Sequence, residues 1–197
     1  MKNYKFLSNL IFLALLTTLS HANSDGFYVG TDASIMLFGD DDLEITYKDG
    51  TKKNHKDINS FHYNMKIGYQ HFNNNRLEFY YRKNKLDNSK EEIKTKTFGI
   101  NYEWAFSSLA TETIIPYALI GIGGGEVSSS NIKALDNAEV GEANLGVGIH
   151  YQFNENMDFQ VGYTFTSTGF DNFDNKTTDE TSTIDQNKVV VGVAYKF

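Results

Sequence analysis

Histidine and serine are the residues that would support catalysis in this chain, because it contains no cysteine. After residue 22 the histidines are His55, His62, His71 and His150, and they lie in separate segments. None forms the His-Glu-x-x-His spacing with which a helix holds zinc. No serine stands where a serine–histidine–carboxylate arrangement is evident. The spacing therefore predicts no catalytic residues and no enzyme.

Two other patterns would be typical of ligand binding. The glycines at 121 and 123–125 could form a phosphate cradle, but no Gly-Lys-Ser/Thr follows them. Glycines facing a narrow interior explain this run better. The acidic segments 40–42 and 171–180 offer oxygen ligands, yet neither has the spacing of an EF-hand. We therefore expect no cofactor and no metal site.

The composition favours strands over helices. The chain has 197 residues with 12 Tyr, 15 Phe and 16 Gly but only 1 Pro, and aromatic residues are enriched in strands. Its 18 basic and 25 acidic side chains give a net charge of -7. Such a balance argues against nucleic acid as a partner, because phosphates require a basic surface.

The first 22 residues have the layout of a secretory signal peptide. Lys2 and Lys5 precede a largely apolar run over 6–19, and small residues lie at Ser20 and Ala22. The apolar run is too short to cross a hydrocarbon core of about 30 Å as a helix. We expect residues 1–22 to be removed and residues 23–197 to form one domain.

Period-two alternation of apolar and polar residues follows. It recurs in eight segments, which are 27–37, 61–70, 76–82, 97–106, 116–123, 144–153, 158–165 and 188–197. Eight strands of about 9–11 residues would each cross a bilayer at a tilt. The pattern predicts an all-β fold, an eight-stranded antiparallel up-and-down transmembrane barrel.

The connections alternate between short and long. Short ones are expected at 73–75, 107–113 and 154–156, and long polar ones at 39–60, 83–92, 126–142 and 167–186. In an outer-membrane barrel the short turns face the periplasm and the long loops face outward. Both chain ends would then be periplasmic. Asp49-Gly50 between alternating residues predicts a hairpin over Leu43–Lys53 inside the first long loop.

A soluble barrel with its apolar face inward, as in a lipocalin, is the alternative. Two features favour the membrane. The polar face is rich in Gly, Asn and Gln, which suits a crowded interior. The apolar face carries aromatic residues near both strand ends, as at membrane interfaces.

Three segments resemble the OmpA-like and opacity-protein outer-membrane barrel superfamily. The C-terminal segment places Val189, Val191, Val193, Tyr195 and Phe197 on one face and ends in phenylalanine. This is similar to the signal that the barrel-assembly machinery recognises. Segments 116–125 and 144–153 resemble the spaced-glycine strands of the superfamily. The resemblance implies a Gram-negative outer-membrane protein, here the barrel domain alone, and we expect a monomer.

Charged residues lie on the predicted inward face, where each needs a partner. We expect ion pairs among Asp32, Lys66, Arg76, Glu78, Arg82 and Glu103, with Asp158 and Lys196 also facing inward. These charges would either plug the lumen or line a gated ion path. Eight strands leave little room beyond side chains, which favours the plug.

Three functions remain open: a structural or adhesin-like surface barrel, a small porin-like channel, and a lipid A-modifying enzyme. The enzyme is the least favoured, because the serine expected two positions after His150 is replaced by Gln152. Long loops on a rigid scaffold favour surface recognition. Partners would be host or phage surfaces, besides outer-membrane lipid and lipopolysaccharide. The first loop residues to consider are Tyr47, Lys48, Lys52, Lys53, Phe170 and Phe173.

Overall fold

The computed structural model describes residues 25–36, 43–46, 52–55, 59–71, 73–88, 91–129, 139–171 and 181–197. The predicted signal peptide, Tyr47, Lys48 and Phe173 lie outside these residues. The strands are β1 (Gly26–Met36), β2 (Leu43–Thr46), β3 (Lys52–His55), β4 (Asn59–Gln70), β5 (Arg76–Asn88), β6 (Glu91–Ala105), β7 (Ile114–Ser129), β8 (Glu139–Gln152), β9 (Met157–Asp171) and β10 (Thr181–Lys196).

Eight of these strands form a closed antiparallel barrel, which confirms the predicted fold. The order is β1-β4-β5-β6-β7-β8-β9-β10, and β1 pairs with β10 to close it. Backbone groups along the circumference therefore find partners within the wall. We call the end where β1 begins and β10 finishes the terminal end, and the opposite one the distal end. No helix among the described residues is long and apolar enough to span a membrane.

The alternation of the sequence decides which side of the wall each residue faces. In the central part of each barrel strand, the alternate residues that point outward are mostly apolar; Val191 is 55% exposed and Trp104 is 64% exposed. Their neighbours point inward, as with Val190 at 8% and Tyr117 at 4%. The predicted inward and outward sets are confirmed in all eight strands for the described residues, and Leu37, at the end of the first predicted segment, lies outside them.

The barrel strands are longer than the sequence pattern predicted. β5 and β6 run through most of the predicted 83–92 loop, and β7, β8, β9 and β10 extend into the other two. In these extensions the alternation is reversed, because charged residues such as Lys94 and Glu126 are exposed on the outer face. Apolar residues are buried inside instead, namely Ile93, Val127, Val140, Phe170 and Ile184. Phe170, taken from the sequence as an exposed loop residue, is instead on β9 and 3% exposed.

The predicted hairpin in the first long connection is confirmed as β2 and β3, with Leu43 opposite His55 and Thr46 opposite Lys52. The hairpin lies beside β10. β10 extends past the end of β1, because Met36 at the end of β1 already pairs with Lys188. β2 occupies the edge of β10 beyond that point, with Ile45 opposite Ser182. The hairpin therefore covers an edge that would otherwise be open.

The terminal-end turns are short. Asn74 has a φ of 64°, the left-handed conformation that asparagine tolerates. Its backbone N–H donates to the backbone carbonyl of His71 (2.8 Å). A single turn of 3₁₀ helix, Ser107–Leu109, lies in the predicted 107–113 connection.

Candidate functional site in the barrel lumen

Many of the inward residues form a polar network that crosses the lumen. The members described below come from β1 and from β4 to β9, because each strand turns every second residue toward the axis. Three clusters can be distinguished, at the terminal end, at the centre and toward the distal end. Each is centred on one cation.

The central cluster surrounds Lys66 on β4, which is 5% exposed. Its Nζ lies 3.5 Å from Asp32 Oδ2 on β1 and 3.4 Å from Glu78 Oε2 on β5. It also donates to Gln160 Oε1 at 2.5 Å. Asn64 donates to the other oxygen of Asp32 (2.6 Å). Two carboxylates thus share one ammonium group, with amides filling the remaining positions.

The terminal cluster is centred on Arg76 at the start of β5. Its guanidinium makes a two-point contact with Asp158 across the lumen, at 2.6 and 3.3 Å, and donates from Nε to Gln70 Oε1 (2.9 Å). Nη1 also lies 3.2 Å from His150 Nδ1. Because arginine has only donors, Nδ1 accepts there, and Nε2 donates to Glu103 Oε2 at 2.9 Å.

The distal cluster is centred on Arg82. Its Nη1 donates to Glu142 Oε1 (2.9 Å) and Asn144 Oδ1 (3.0 Å), and its Nε donates to Asn64 Oδ1 (2.8 Å). The guanidinium carbon lies 4.8 Å from the centre of the Tyr80 ring, and the Tyr80 hydroxyl donates to Glu142. Charge and ring stacking hold Arg82 at this level.

Tyrosine and glutamine side chains join the clusters. Tyr28 donates to Glu78 Oε2 (2.9 Å). Gln160 Nε2 donates to the Tyr117 hydroxyl (2.6 Å) and to Glu103 Oε1 (3.2 Å), while its carbonyl accepts from Lys66. A cavity of about 20 Å³ among the central residues has room for roughly one water molecule. The described lumen is filled by its own side chains.

Glycines make room for the tyrosines. A Cβ added to Gly148 on β8 would lie 2.6 Å from the Tyr117 hydroxyl, and one added to Gly162 on β9 would lie 2.5 Å from it. Tyr28 lies against Gly68 in the same way. Of the glycines noted in the sequence, Gly123 lies against the Tyr80 hydroxyl and Gly121 lies against the Asn101 side chain. Gly124 is opposite the outward residue Phe98 and is not on the inward face. In this narrow barrel, the large tyrosine rings therefore lie against glycines, which have no side chain to obstruct them.

The structure brings the six predicted lumen residues, Asp32, Lys66, Arg76, Glu78, Arg82 and Glu103, into this network, together with Asp158. Lys196 lies apart at the terminal rim and is partly exposed. Sequence reasoning missed Glu142, because it was assigned to a loop. The alternation of Val140, Glu142 and Asn144, all inward and buried, was the available signal.

The predicted assembly residues lie on the outer face of β10. Val191 and Tyr195 are exposed, and the Tyr195 and Phe197 rings contact edge to face at 5.2 Å. The Phe197 amide donates to the Phe27 carbonyl (2.9 Å). The last residue is therefore hydrogen-bonded to the start of the first strand.

One histidine–serine contact lies in the described lumen, because His62 Nε2 is 3.2 Å from the Ser60 hydroxyl and both residues are buried. The His62 Nδ1 atom has no hydrogen-bond partner among the described residues, so no carboxylate orients this pair. Both ring nitrogens of His150 are occupied by Arg76 and Glu103. Within the described ranges, no group of three or more His, Asp or Glu side chains is arranged to hold a metal ion.

Comparison with known proteins gives one family and several similar structures. The family model described as outer membrane protein beta-barrel domain matches residues 8–197. Neisserial surface protein A has a TM-score of 0.56 at 17% identity, over 87% of this chain and 97% of that one. OprG from Pseudomonas aeruginosa has a TM-score of 0.55 at 15% identity, over 90% and 97%.

AlkL, solved by solid-state NMR in DMPC bilayers, has a TM-score of 0.53 at 15% identity, over 90% of this chain and 93% of that one. Such identities establish a shared fold. No curated protein matches the chain in sequence.

Replacing Arg76 by Met should destabilise the barrel by about 3–5 kcal/mol, because Asp158 loses its partner in a buried site. The double variant Arg76→Met/Asp158→Asn should recover part of that loss. Urea unfolding in zwitterionic micelles measures the stability of the single and the double variant, with heat-dependent gel migration reporting the folded fraction. The control is Lys96→Met, which breaks an exposed pair with Glu126 (3.5 Å) and should cost about 0–1 kcal/mol. Equal losses for Arg76→Met and Lys96→Met would contradict this account.

Replacing Gly148 by Ala should cost about 1–3 kcal/mol, because its Cβ would press on the Tyr117 hydroxyl and the Val161 carbonyl. Gly141→Ala on the same strand is the matched control. Nothing lies within 4 Å of its added Cβ, so its stability should be unchanged or slightly higher. The same urea titration compares them, and a Gly141 variant as unstable as the Gly148 variant would refute the packing explanation.

Proposed function

The chain belongs to the outer membrane protein beta-barrel domain family, and from this premise we propose that it is a non-conducting surface barrel. In this proposal the wall anchors the protein in the outer membrane. The distal end faces outward, the chain ends are periplasmic, and the distal hairpins contact partners at the cell surface. The proposal assigns no catalysis to the protein.

The observation that carries the proposal is the filled lumen. Arg76 spans from β5 to Asp158 on β9, and Arg82 spans from β5 to Glu142 on β8. An ion crossing the barrel would have to break these contacts, and each leaves a buried charge behind. A permanent plug fits a scaffold better than a path for solutes.

The distal architecture supports the surface role. The strand extensions and the β2–β3 hairpin lie at this end, whereas the turns at the terminal end are short. Recognition in such proteins is usually carried by connections on a rigid scaffold. Lys52 and Lys53 are on β3 of this hairpin, which makes it the first segment to test. A closed wall leaves no edge that requires a second chain, which supports a monomer.

The purified protein should show no discrete conductance in planar bilayers. The positive control is Tyr80→Ala/Tyr117→Ala, which removes two rings from the lumen. If this variant folds, as judged by its heat-dependent gel migration, it should give measurable channel openings. Reproducible openings of the wild-type protein under the same conditions would favour the porin-like alternative.

Replacing residues 44–54 by a short Gly-Ser turn should leave the barrel assembled, because among the described residues β2 pairs with the barrel at the end of β10. Adhesion of expressing cells to host cells, and their sensitivity to phage, should then fall to the level of a deletion strain. A second variant with a shortened 107–113 connection is the control and should retain both phenotypes. Loss of phenotype only on changing lumen residues, such as Glu78→Gln, would place the function inside the barrel instead.

A further inference from the structure

Four polar atoms in the distal half of the lumen are buried and have no hydrogen-bond partner among the described residues. They are His62 Nδ1 on β4, Asn84 Oδ1 on β5, Thr97 Oγ1 on β6 and Gln186 Nε2 on β10. Each of these residues is at most 8% exposed. A buried polar atom that pairs with nothing costs free energy, and such atoms are nearly always hydrogen-bonded in proteins. A ligand is therefore expected at this level of the lumen.

Three of the four residues are neighbours on adjacent strands. His62 lies directly opposite Asn84, and both point inward. Opposite residues on one face of an antiparallel pair have Cβ atoms about 5 Å apart. Thr97 lies directly opposite Arg82, which is the inward residue just before Asn84 on β5. The free atoms of His62, Asn84 and Thr97 thus belong to one layer beside the Arg82 guanidinium.

The fourth residue reaches the same layer from β10. The positive charges of Lys188 and Arg82 both act on His62, so Lys188 lies near the level of His62 although β1 separates their strands. Gln186 is the next inward residue on β10 toward the distal end. Asn84 is likewise the next inward residue after Arg82. Gln186 and Asn84 are therefore each one inward step beyond a cation that acts on His62.

The layer is closed toward the distal end by apolar side chains. Ile184 is the next inward residue of β10 after Gln186, and the other strands of the arc contribute similar residues at their distal ends. These inward residues, one from each of β6 to β10 and at most 4% exposed, are Ile93, Val127, Val140, Phe170 and Ile184. Toward the terminal end the layer is bounded by Arg82 and its contact with Glu142. A ligand held here is small and shielded from bulk solvent.

The hydrogen-bonding requirements of the layer define the ligand. The Ser60 hydroxyl donates to Met36 Sδ (3.6 Å), so its oxygen accepts from His62 Nε2 (3.2 Å). A neutral imidazole that donates from Nε2 has a bare Nδ1, which accepts. Asn84 Oδ1 also accepts, whereas Gln186 Nε2 donates. The ligand must therefore donate to two atoms and accept from a third.

Water meets these requirements, because it has two hydrogens and two lone pairs and carries no charge. An ammonium ion could donate twice, but Arg82 and Lys188 would repel it. An anion has no hydrogen to offer to His62 Nδ1 or Asn84 Oδ1. The hydroxyl of a simple alcohol has one hydrogen, where the layer requires two. Buried waters typically make about three hydrogen bonds to polar groups that would otherwise be unsatisfied.

We propose that His62, Asn84 and Gln186 bind one water molecule, which we call the lumen water, as a component of the plug. It donates to His62 Nδ1 and Asn84 Oδ1 and accepts from Gln186 Nε2, and the Thr97 hydroxyl is a fourth partner. The inference concerns the interior of the barrel. It goes beyond the surface role proposed above and does not depend on it.

Urea unfolding in zwitterionic micelles tests whether the two acceptors share one partner. His62→Phe and Asn84→Leu remove one acceptor each while largely keeping the shape of the side chain. Each should lower the urea midpoint, because the water loses a hydrogen bond. The double variant should lower it by less than the sum of the single effects, since both residues act on the same molecule. A higher midpoint in either single variant, or strictly additive effects, would overturn the proposal.

NOE spectroscopy between water and side-chain amides detects the lumen water directly in the full chain. The Gln186 amide of the wild type should give a cross-peak at the water frequency with the sign of a rigidly held molecule. His62→Phe/Asn84→Leu should weaken it at least fivefold, and Asn84→Leu alone is the milder replacement. The matched control is Thr166→Val, directly opposite Gln186, which loses a direct bond to Asn144 (2.8 Å). Its midpoint should fall while its Gln186 cross-peak persists.

Two spectroscopic outcomes would contradict the lumen water. One is a Gln186 cross-peak that is missing in the wild type or equally strong in the double variant. The other is a cross-peak to carbon-bound hydrogens of a buffer polyol, which would mean an adventitious additive only. Heat-dependent gel migration verifies the folding of each variant. Neither measurement reports conductance or surface phenotypes, so this inference and the proposed function can fail separately.

Discussion

Closure of the wall by pairing of β1 with β10 is the constraint on which the rest of the structure depends. In hydrocarbon no water is present to satisfy a free backbone donor, so a sheet can cross a membrane only as a closed ring. Closing it with eight strands leaves an interior wide enough for side chains and little more. The lumen must therefore be filled, and the outer face must be apolar. The pairing of tyrosines with inward glycines, such as Tyr117 with Gly148 and Gly162, follows from the same narrow radius.

Because the filled lumen contains buried charges, each charged group in it needs a partner. Lys66 shares its charge between Asp32 and Glu78, and Arg76 is held by Asp158, His150 and Gln70. Removing one member leaves others buried without compensation, so the network acts as a unit. The molecule therefore has three regions that require different types of residue. The lumen requires charge complementarity, the middle of the outer face requires apolar side chains, and the outer face near the distal end carries charged residues such as Lys83 and Lys96.

The sequence predicted most of the fold, because in a membrane barrel the period-two pattern is also the inside–outside pattern. It placed Val191 outward and Val190 inward, and it identified seven of the lumen charges, Asp158 among them. It failed near the distal end, where the alternation is reversed and the outer face carries charged residues while residues such as Val127 and Ile184 are buried inside. The strand extensions through Lys83–Asn88 read as loop, and Phe170 and Glu142 were taken as loop residues for the same reason. The sequence also did not predict which charged residues form ion pairs with each other inside the lumen. Lys66 finds its partners on adjacent strands, whereas Arg76 finds Asp158 across the interior, and only strand tilt and register distinguish these cases.

The two strands that close the wall, β1 and β10, lie far apart in the order in which the chain is synthesised. β1 is made first, yet one of its edges stays without a partner until β10, the last strand made, pairs with Val29 through Val193 and Tyr195. The central charges come from early strands, since Asp32, Lys66 and Glu78 belong to β1, β4 and β5. Arg76 must wait for Asp158 on β9. The free edge of β1 is therefore satisfied only when β10 is in place. Arg76 obtains its carboxylate partner one strand earlier, because Asp158 is on β9. Pairing of the lumen charges across the interior thus depends on β9, and closure of the wall depends on β10.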